Sequence, residues 1–275
     1  MRALALSLRQ ELIGLAGVVE RNVYLTRRYL LWDVAFFVWT VANTLTIVFI
    51  AEGIELAGGQ FDVQRATTTL LVGAVVWAYL GIIFEFMTET VGWERWEGTI
   101  EYTFMAPLSR VMHLGGSGLF AVIYGLVRAC LLFAVVSLFF DLSLGDANYL
   151  AALALLVIAS ISFFGIGMMT AVLPLVSPEK GMQLGFVAQG MLLVVSGVYY
   201  PVDVLPGWMQ WLAKLSPATY ALEGIRDAIL DGGGLHWRHV WPLLVIGAVT
   251  VPLGLAVFRV GETYAKRTGK LKRSG

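Results

Sequence analysis

Long uninterrupted apolar runs constrain the fold of this chain more than any other feature of its sequence. A run of about 20 apolar residues, folded as a helix, crosses a hydrocarbon core about 30 Å thick. Runs of this length occur six times, without the alternation of apolar and polar residues expected in barrel strands. The sequence therefore predicts an all-α membrane protein with six transmembrane helices. The predicted spans are Leu30–Ile50, Thr67–Met87, Leu119–Phe140, Tyr149–Val172, Met182–Tyr200 and Val240–Val260.

The composition agrees with a membrane location. Of the 275 residues, 58% are hydrophobic and 14% are charged, whereas soluble domains are about 45–50% apolar and about 25% charged. The whole chain, residues 1–275, is predicted to form one transmembrane domain. Within it we expect an interfacial helix over residues 1–28, a six-span bundle over 30–260 and a basic tail over 261–275.

The positions of lysine and arginine predict the orientation, because cytoplasmic flanks of membrane spans are enriched in both residues. With the N-terminus inside, thirteen basic residues fall on the cytosolic side and four on the opposite side. Six spans then return the chain to the side on which it began. We therefore expect a multi-pass protein of the cell membrane, inner or plasma, with both termini in the cytosol.

The residues before the first span have an amphipathic pattern. Leu4, Leu8, Leu12, Leu15 and Val19 recur at spacings of three and four, and charged residues occupy the other faces. This pattern predicts a helix lying on the inner membrane surface. A simple topology anchor is the alternative.

Cysteine and histidine usage gives little support to redox or metal chemistry. Cys130 is the single cysteine, so no internal disulfide can form. His236 and His239 have a spacing that could serve a metal, but the sequence offers no third ligand near them. His113 lies on the opposite side of the membrane. We therefore predict no catalytic residue, no metal site and no resident cofactor in this chain.

A charged segment in the second cytosolic connection stands out from the apolar sequence around it. On one continuous helix it would have an apolar face beside an acidic face, and Pro107 would end the helix. An interfacial helix with a solvated acidic face is the alternative to a docking site. The apolar face would carry Trp93, Trp96, Ile100 and Phe104, and the acidic face Glu94, Glu97 and Glu101.

The sequence of the outer connection between the fifth and sixth spans predicts two short helices. Trp208, Trp211, Leu212 and Leu215 give the first helix an aromatic apolar face suited to the membrane interface. The second begins at the pair Ser216-Pro217 and ends at a run of three glycines. A hairpin that only stabilises the bundle is the alternative to a functional role.

Two motifs resemble the ABC-2 family of permeases, the membrane subunits of type V ABC exporters. The run from Glu94 to Glu101, followed by Ala106–Arg110, resembles the coupling-helix region of that family. The outer motifs resemble its re-entrant helices, which line the exit of the translocation path. They are Gly197–Pro201, Leu205–Trp208, Ser216–Tyr220 and Glu223–Arg226.

The resemblance implies a role for both connections. The residues implied to couple to the ATPase are Glu94, Arg95, Glu97, Gly98, Thr99, Glu101, Pro107 and Arg110. Those implied to form the outer exit gate are Tyr199, Tyr200, Pro201, Trp208 and Tyr220.

The resemblance also implies partners. The chain lacks the glycine-rich P-loop pattern, so a separate ABC ATPase subunit would bind ATP and Mg²⁺. Six spans are half of the usual twelve in this family. The expected partners are therefore that ATPase, a second permease copy or a homologous permease, and the lipid bilayer, but no nucleic acid.

Charges within the spans are costly and mark functional candidates. Arg128 in the third span and Glu85 in the second could pair with each other. A structural role for Arg128 within the bundle is the alternative. Trp39 and Trp77 are candidates for an aromatic wall along the pathway, although such rings also pack against neighbours or lipid.

The predicted function is export of a hydrophobic or amphiphilic substrate, such as a drug, antibiotic or lipid, from the cytosol or inner leaflet. Export of a lipid-linked polysaccharide or teichoic acid is the first alternative. An intramembrane enzyme is the second, and it would require a positioned catalytic constellation within the bilayer. A secondary carrier with inverted repeats is disfavoured because the two halves show no matching broken helices.

Overall fold

The computed structural model describes residues 8–56, 62–140, 142, 145–177 and 179–269. These residues are mainly helical, and no strand occurs among them. Leu4 of the predicted interfacial helix and residues 270–275 of the predicted basic tail lie outside the described residues. Helix α1 begins at Leu8, so the predicted helical nature of the N-terminal segment is confirmed over its described part.

Eleven α-helices and one short 3₁₀ helix make up the described structure. The 3₁₀ helix, Val202–Val204, precedes α9. The helices are α1 Leu8–Arg28, α2 Leu30–Leu56, α3 Val63–Trp96, α4 Ile100–Met105, α5 Arg110–Ser137, α6 Tyr149–Thr170, α7 Val172–Val176, α8 Gly181–Val195, α9 Gly207–Ala213, α10 Pro217–Leu230 and α11 Trp237–Arg267.

Five segments of the described structure are long and apolar enough to cross a membrane. They correspond to five of the predicted spans, and most extend well beyond the predicted boundaries. The longest is α3, which has 34 residues and measures about 51 Å. The five segments are Leu30–Gly53, Val63–Trp96, Arg110–Ser137, Tyr149–Val176 and Trp237–Arg267.

The predicted fifth span, Met182–Tyr200, is not one helix. Helix α8 has 15 residues and ends at Val195, so it measures about 22 Å and is shorter than a hydrocarbon core of about 30 Å. It ends because Gly197 takes a left-handed conformation, with φ of 69°, which a regular helix cannot contain. The chain then turns into the 3₁₀ helix and α9.

The connections gather at two ends of the bundle. At one end, called here the coupling end after the predicted role of its charged segment, α1 packs beside α5, and Leu108 lies against Gly14. At the opposite end, called the outer end after its predicted side of the membrane, Arg65 of α3 forms a bidentate ion pair with Asp231 after α10, at 2.9 and 3.0 Å. Each end therefore joins segments that are far apart in the sequence.

The main core surrounds α3. In the most apolar stretch of α3, 67% of the residues are buried, against 17% in α2. Two polar pairs lie in the bundle interior: the Tyr79 and Ser160 hydroxyls are 2.6 Å apart, and Ser162 donates to the Leu243 carbonyl at 2.7 Å. Such pairs matter because an unpaired polar group in an apolar interior is costly.

Helix α10 contributes to this core and does not lie on the surface. Leu222 and Ile225 are buried in the main core together with residues of α3 and α6. The beginning of α10 lies beside the end of α8, where Ser216 and Ser196 hydroxyls are 2.6 Å apart. Its far end reaches the ion pair of Arg65 at the outer end. The two predicted short helices after the fifth span are thus present as α9 and α10.

The possible pairing of Arg128 with Glu85 is wrong. Arg128 donates to Asp33 of α2 and to the Tyr124 hydroxyl, both at 2.9 Å, while Glu85 accepts from Gln189 of α8 at 3.1 Å. Arg128 therefore ties α5 to α2. The sequence could not assign this partner, because Asp33 lies 95 positions away.

Replacing Arg128 with glutamine should reduce the stability of the bundle. Loss of the charged hydrogen bonds should lower the free energy of unfolding by about 1–3 kcal/mol, because α2 has few other buried residues. Thermal unfolding of the detergent-purified protein measures this, with the exposed Arg259→Gln as a control. Equal melting temperatures for the two variants would contradict the structural role of Arg128.

Candidate functional site

The charged segment between the second and third predicted spans contains a helix break and is not one continuous helix. After α3 ends at Trp96, the Gly98 N–H donates to the Arg95 carbonyl at 3.1 Å and the Thr99 N–H to the Glu94 carbonyl at 2.8 Å. With Gly98 at φ 74°, this is a Schellman cap, in which a left-handed residue closes the helix. The predicted single face running from the tryptophans to Phe104 is therefore wrong.

The break separates the tryptophans from the apolar residues of α4. Trp93 and Trp96 are exposed and pack on Tyr29, with ring centroids 6.0 and 5.9 Å apart. Ile100, by contrast, is buried in a second core cluster, together with Phe258 of α11. Restarting the helix at Ile100 changes which residues share a face.

Glu94 is directed into the protein and does not belong to an exposed acidic face. Its side chain is 1% exposed, and its Oε1 accepts from Arg21 of α1 at 2.7 Å and from His113 of α5 at 3.0 Å. A carboxylate only accepts, so His113 donates from Nε2. Glu94 therefore joins α1, α3 and α5 at one buried point.

Three further contacts hold α1 and its C-terminal flank against this charged segment. The Tyr29 hydroxyl donates to Glu97, and this hydrogen bond raises the pKa of Tyr29; Arg28 lies 3.6 Å from the other oxygen of Glu97. At the far end of the segment, the Ser109 hydroxyl donates to Glu11 at 2.8 Å. The acidic residues of this segment thus serve mostly in internal contacts.

The two predicted basic coupling residues also face inward. Arg95 is buried and donates to the Leu175 carbonyl at 3.4 Å. Arg110 donates to Glu262 of α11 and to the carbonyls of Thr103 and Phe104. Both arginines therefore stabilise the coupling end from within.

The residues left exposed on and after α4 form what we call the α4 surface. Tyr102 is 77% exposed and Met105 is 82% exposed, and Glu101 and Pro107 are exposed beside them. Sequence reasoning missed Tyr102 and Met105. The signal that could have found them is Gly98, since a helix restarted after it turns these two side chains away from buried Ile100.

The turn that follows α8, residues 196–201, is called here the outer turn and is stabilised by Arg226 of α10. Its guanidinium donates to the carbonyls of Gly197 and Val198 at 3.1 and 2.5 Å. Gly73 of α3 lies so close to the Val198 carbonyl oxygen that a Cβ at this position would clash with it. These two carbonyls lie just beyond the end of α8 and are thereby satisfied inside the bundle.

The predicted exit-gate residues surround this turn without converging on one point. Tyr199 is half-buried against the main core, and the Tyr200 hydroxyl donates to the Val194 carbonyl at 2.5 Å. Tyr220 donates to the Lys214 carbonyl at 2.9 Å. Pro201 and Trp208 are exposed.

The pathway candidates occupy three different environments. Trp39 on α2 is exposed, and Trp77 is partly buried against the main core. Glu85 borders a narrow gap between α3 and α8, which Gln189 also lines. Ligand pockets usually measure about 300–1,000 Å³, whereas this gap has no space even for a water molecule, so a drug-sized molecule does not fit there.

At the outer end, Asp227 lies near both histidines that the sequence pairs. Its Oδ2 is 3.4 Å from His236 and 4.0 Å from His239. However, Arg238 lies 3.8 Å from the same oxygen and donates to the His239 ring at 2.9 Å. In the described part of the chain, no group of three or more His, Cys, Asp or Glu residues has a geometry that could hold a metal ion.

Comparison with known families agrees with this helical membrane architecture. Residues 23–230 match the model of the family described as ABC-2 type transporter, which is well over half of the chain. The chain therefore belongs to the ABC-2 type transporter family. It is a multi-pass membrane protein of the permease class.

Individual relatives are more distant. The chain is 28% identical over 176 residues to the probable multidrug ABC transporter permease YbhR of Escherichia coli K12, covering 62% of this chain and 46% of that protein. It is 29% identical over 114 residues to the linearmycin resistance permease protein LnrN of Bacillus subtilis, covering 41% and 29%.

A third relative is eukaryotic. ABC transporter G family member 20 of Dictyostelium discoideum is 32% identical over 115 residues, covering 40% of this chain and 16% of that protein. The chain thus spans less than half the length of the curated relatives it matches.

Removing the charge of Glu94 should destabilise the protein, whereas the same change at exposed Glu101 should not. Glu94→Gln leaves the positive charge of Arg21 without its buried counterpart and should cost about 3 kcal/mol. Thermal unfolding of both detergent-purified variants tests this contrast. If Glu94→Gln melted at the same temperature as Glu101→Gln, the buried cluster would contribute nothing to stability.

Proposed function

We propose that this chain is the permease subunit of an ATP-driven exporter for a hydrophobic or amphiphilic molecule, taken from the cytosol or inner leaflet. Membership of the ABC-2 type transporter family is the observation that carries the proposal. A separate ATPase subunit binds and hydrolyses ATP with Mg²⁺, and the chain itself is not an enzyme.

The α4 surface is the docking site for the ATPase in this proposal. Tyr102 and Met105 project an aromatic ring and a flexible thioether from a helix of only six residues. Large exposed side chains of this kind serve as anchors when they enter a pocket of a partner. Glu101 and Pro107 border them and contact the partner as well.

The other predicted coupling residues act indirectly in this proposal. Glu94, Arg95, Glu97 and Arg110 hold the segment in place through the contacts described above. Gly98 and Thr99 form the break that lets α4 project. The ATPase therefore contacts the α4 surface, and the internal contacts of the charged segment hold that surface in position.

We propose that the coupling end faces the cytosol, with both termini on that side. Support comes from the grouping of α1, the α4 segment and the end of α11 at one end of the bundle, and from the excess of basic residues assigned to that side. Helix α8, the outer turn, α9 and α10 together then make the remaining crossing. In it, α9 and α10 are re-entrant helices and the outer turn lines the exit.

The working form is a dimer with a second copy or a homologous permease. Support comes from α2, where 17% of the most apolar stretch is buried within a single chain. Exposed Trp39 on α2 would then line a path between the two chains or face lipid.

The substrate class rests on the relatives. Two of them carry names that refer to multidrug transport and to linearmycin resistance, which favours a drug-like or antibiotic amphiphile. A lipid-linked polysaccharide or teichoic acid is the alternative within the same mechanism. Stimulation of ATP hydrolysis by amphiphilic drugs in the purified complex, compared with lipid-linked glycans, separates these two classes.

Replacing Met105 with glutamate should detach the ATPase without unfolding the permease, because a charge would replace an exposed apolar anchor. The tagged chain is purified from its native membrane in mild detergent, and ATP hydrolysis and co-purified chains are measured. We expect at least about a tenfold loss of bound ATPase, equivalent to about 1.4 kcal/mol.

Trp211→Glu is the control, since Trp211 is 70% exposed on α9 at the outer end. It should retain the ATPase. If the unaltered chain brought no ATP-hydrolysing subunit with it, the exporter proposal would fail. If Met105→Glu retained the subunit fully, the α4 surface would not be its docking site.

A further inference from the structure

Arg110 uses its whole guanidinium within the coupling end. Nε donates to Glu262 Oε1 at 3.1 Å, Nη1 to the Thr103 carbonyl at 3.2 Å and Nη2 to the Phe104 carbonyl at 2.9 Å. Its side chain is 15% exposed. Arg110 therefore satisfies two carbonyls at the C-terminal end of α4 and connects that end to α11.

Glu262 is the carboxylate that accepts from Arg110 in this arrangement. It belongs to α11, its side chain is 10% exposed, and its Oε1 also accepts from Lys266 at 2.6 Å. One buried carboxylate thus serves two cations. The cations in turn lie over the ring of Phe104, with Arg110 at 4.2 Å and Lys266 at 5.8 Å from the ring centroid.

An apolar contact accompanies the ionic one. Ile100 of α4 is buried in the second core cluster, which includes Phe258 of α11, one helical turn before Glu262. A helix of six residues has little stability of its own, because isolated helices shorter than about 12 residues are marginal in water. The orientation of α4 therefore depends on these tertiary contacts.

We propose that Glu262 is a positioning residue for ATPase coupling: through Arg110, it fixes the direction in which α4 presents Tyr102 and Met105. The last transmembrane helix thereby takes part in transmission, in addition to α3 and α5, which flank the segment in sequence. This inference rests on the proposed function. It adds a residue 152 positions from Arg110 that no motif in the sequence marks.

Hydrogen exchange on the detergent-purified 275-residue chain tests, without any ATPase, whether Glu262 stabilises α4 through Arg110. Glu262→Gln keeps the size of the side chain but removes its charge, so the amides of residues 100–106 should exchange roughly ten times faster or more, in keeping with the loss of a charged hydrogen bond. Thr263→Ala, which removes an exposed hydroxyl bonded to its own helix, should leave exchange unchanged.

A second variant provides an independent test in case Glu262→Gln does not fold. Arg110→Lys keeps the positive charge near Glu262 but cannot satisfy two carbonyls and the carboxylate with one planar group. It should also accelerate exchange in α4. Unchanged exchange in α4 for both variants would show that Glu262 and Arg110 do not stabilise α4. If Glu262→Gln failed to fold, the exchange measured for Arg110→Lys would decide.

Retention of the ATPase tests the functional half of the proposal. Co-purification from native membranes should recover several-fold less ATPase with Glu262→Gln than with Thr263→Ala. Faster exchange in α4 with full retention of the ATPase would overturn the positioning role. If the unaltered chain did not bring an ATPase, the exporter proposal would fail, and with it the coupling role of Glu262. The hydrogen-exchange experiment would still decide whether Glu262 stabilises α4 through Arg110.

Discussion

Satisfaction of backbone polar groups within the hydrocarbon core is the constraint on which the rest of this structure depends. Lipid offers no hydrogen-bond partners, so spanning segments must be helices, and a break is tolerated only where the protein recaptures the freed groups. The break after α8 follows this rule, because the carbonyls of Gly197 and Val198 accept from Arg226 inside the bundle. The break at Gly98, at the end of α3, is instead closed by backbone N–H groups of its own cap. Both breaks coincide with the candidate functional segments.

Ionic contacts at the coupling end follow a common arrangement, in which one buried carboxylate accepts from two donors and at least one of them lies on another helix. Glu94 accepts from Arg21 and His113, and Glu262 accepts from Arg110 and Lys266. Burial makes these contacts strong but also makes each partner costly to remove. The charged residues therefore build a stiff base, and the exposed side chains on α4 are left for a partner.

Several features of the fold were predictable because they depend on local composition. The long apolar helices follow from the cost of placing polar groups in lipid, and α9 and α10 follow from proline and glycine at their boundaries. The fifth span was predicted too long, because apolar residues continue past the point where Gly197 ends α8. A hydrophobic run reports preference for lipid and does not report where a helix stops.

The sequence by itself determined the helical membrane class, the approximate spans and the family, since transfer free energies and short motifs are properties of neighbouring residues. The tertiary structure decided which charges meet. It turned Glu94, Arg95 and Arg110 inward, paired Arg128 with Asp33 and left Tyr102 and Met105 exposed. These outcomes depend on contacts between residues 73 to 152 positions apart, and such pairings are set by how helices pack, which local patterns do not encode.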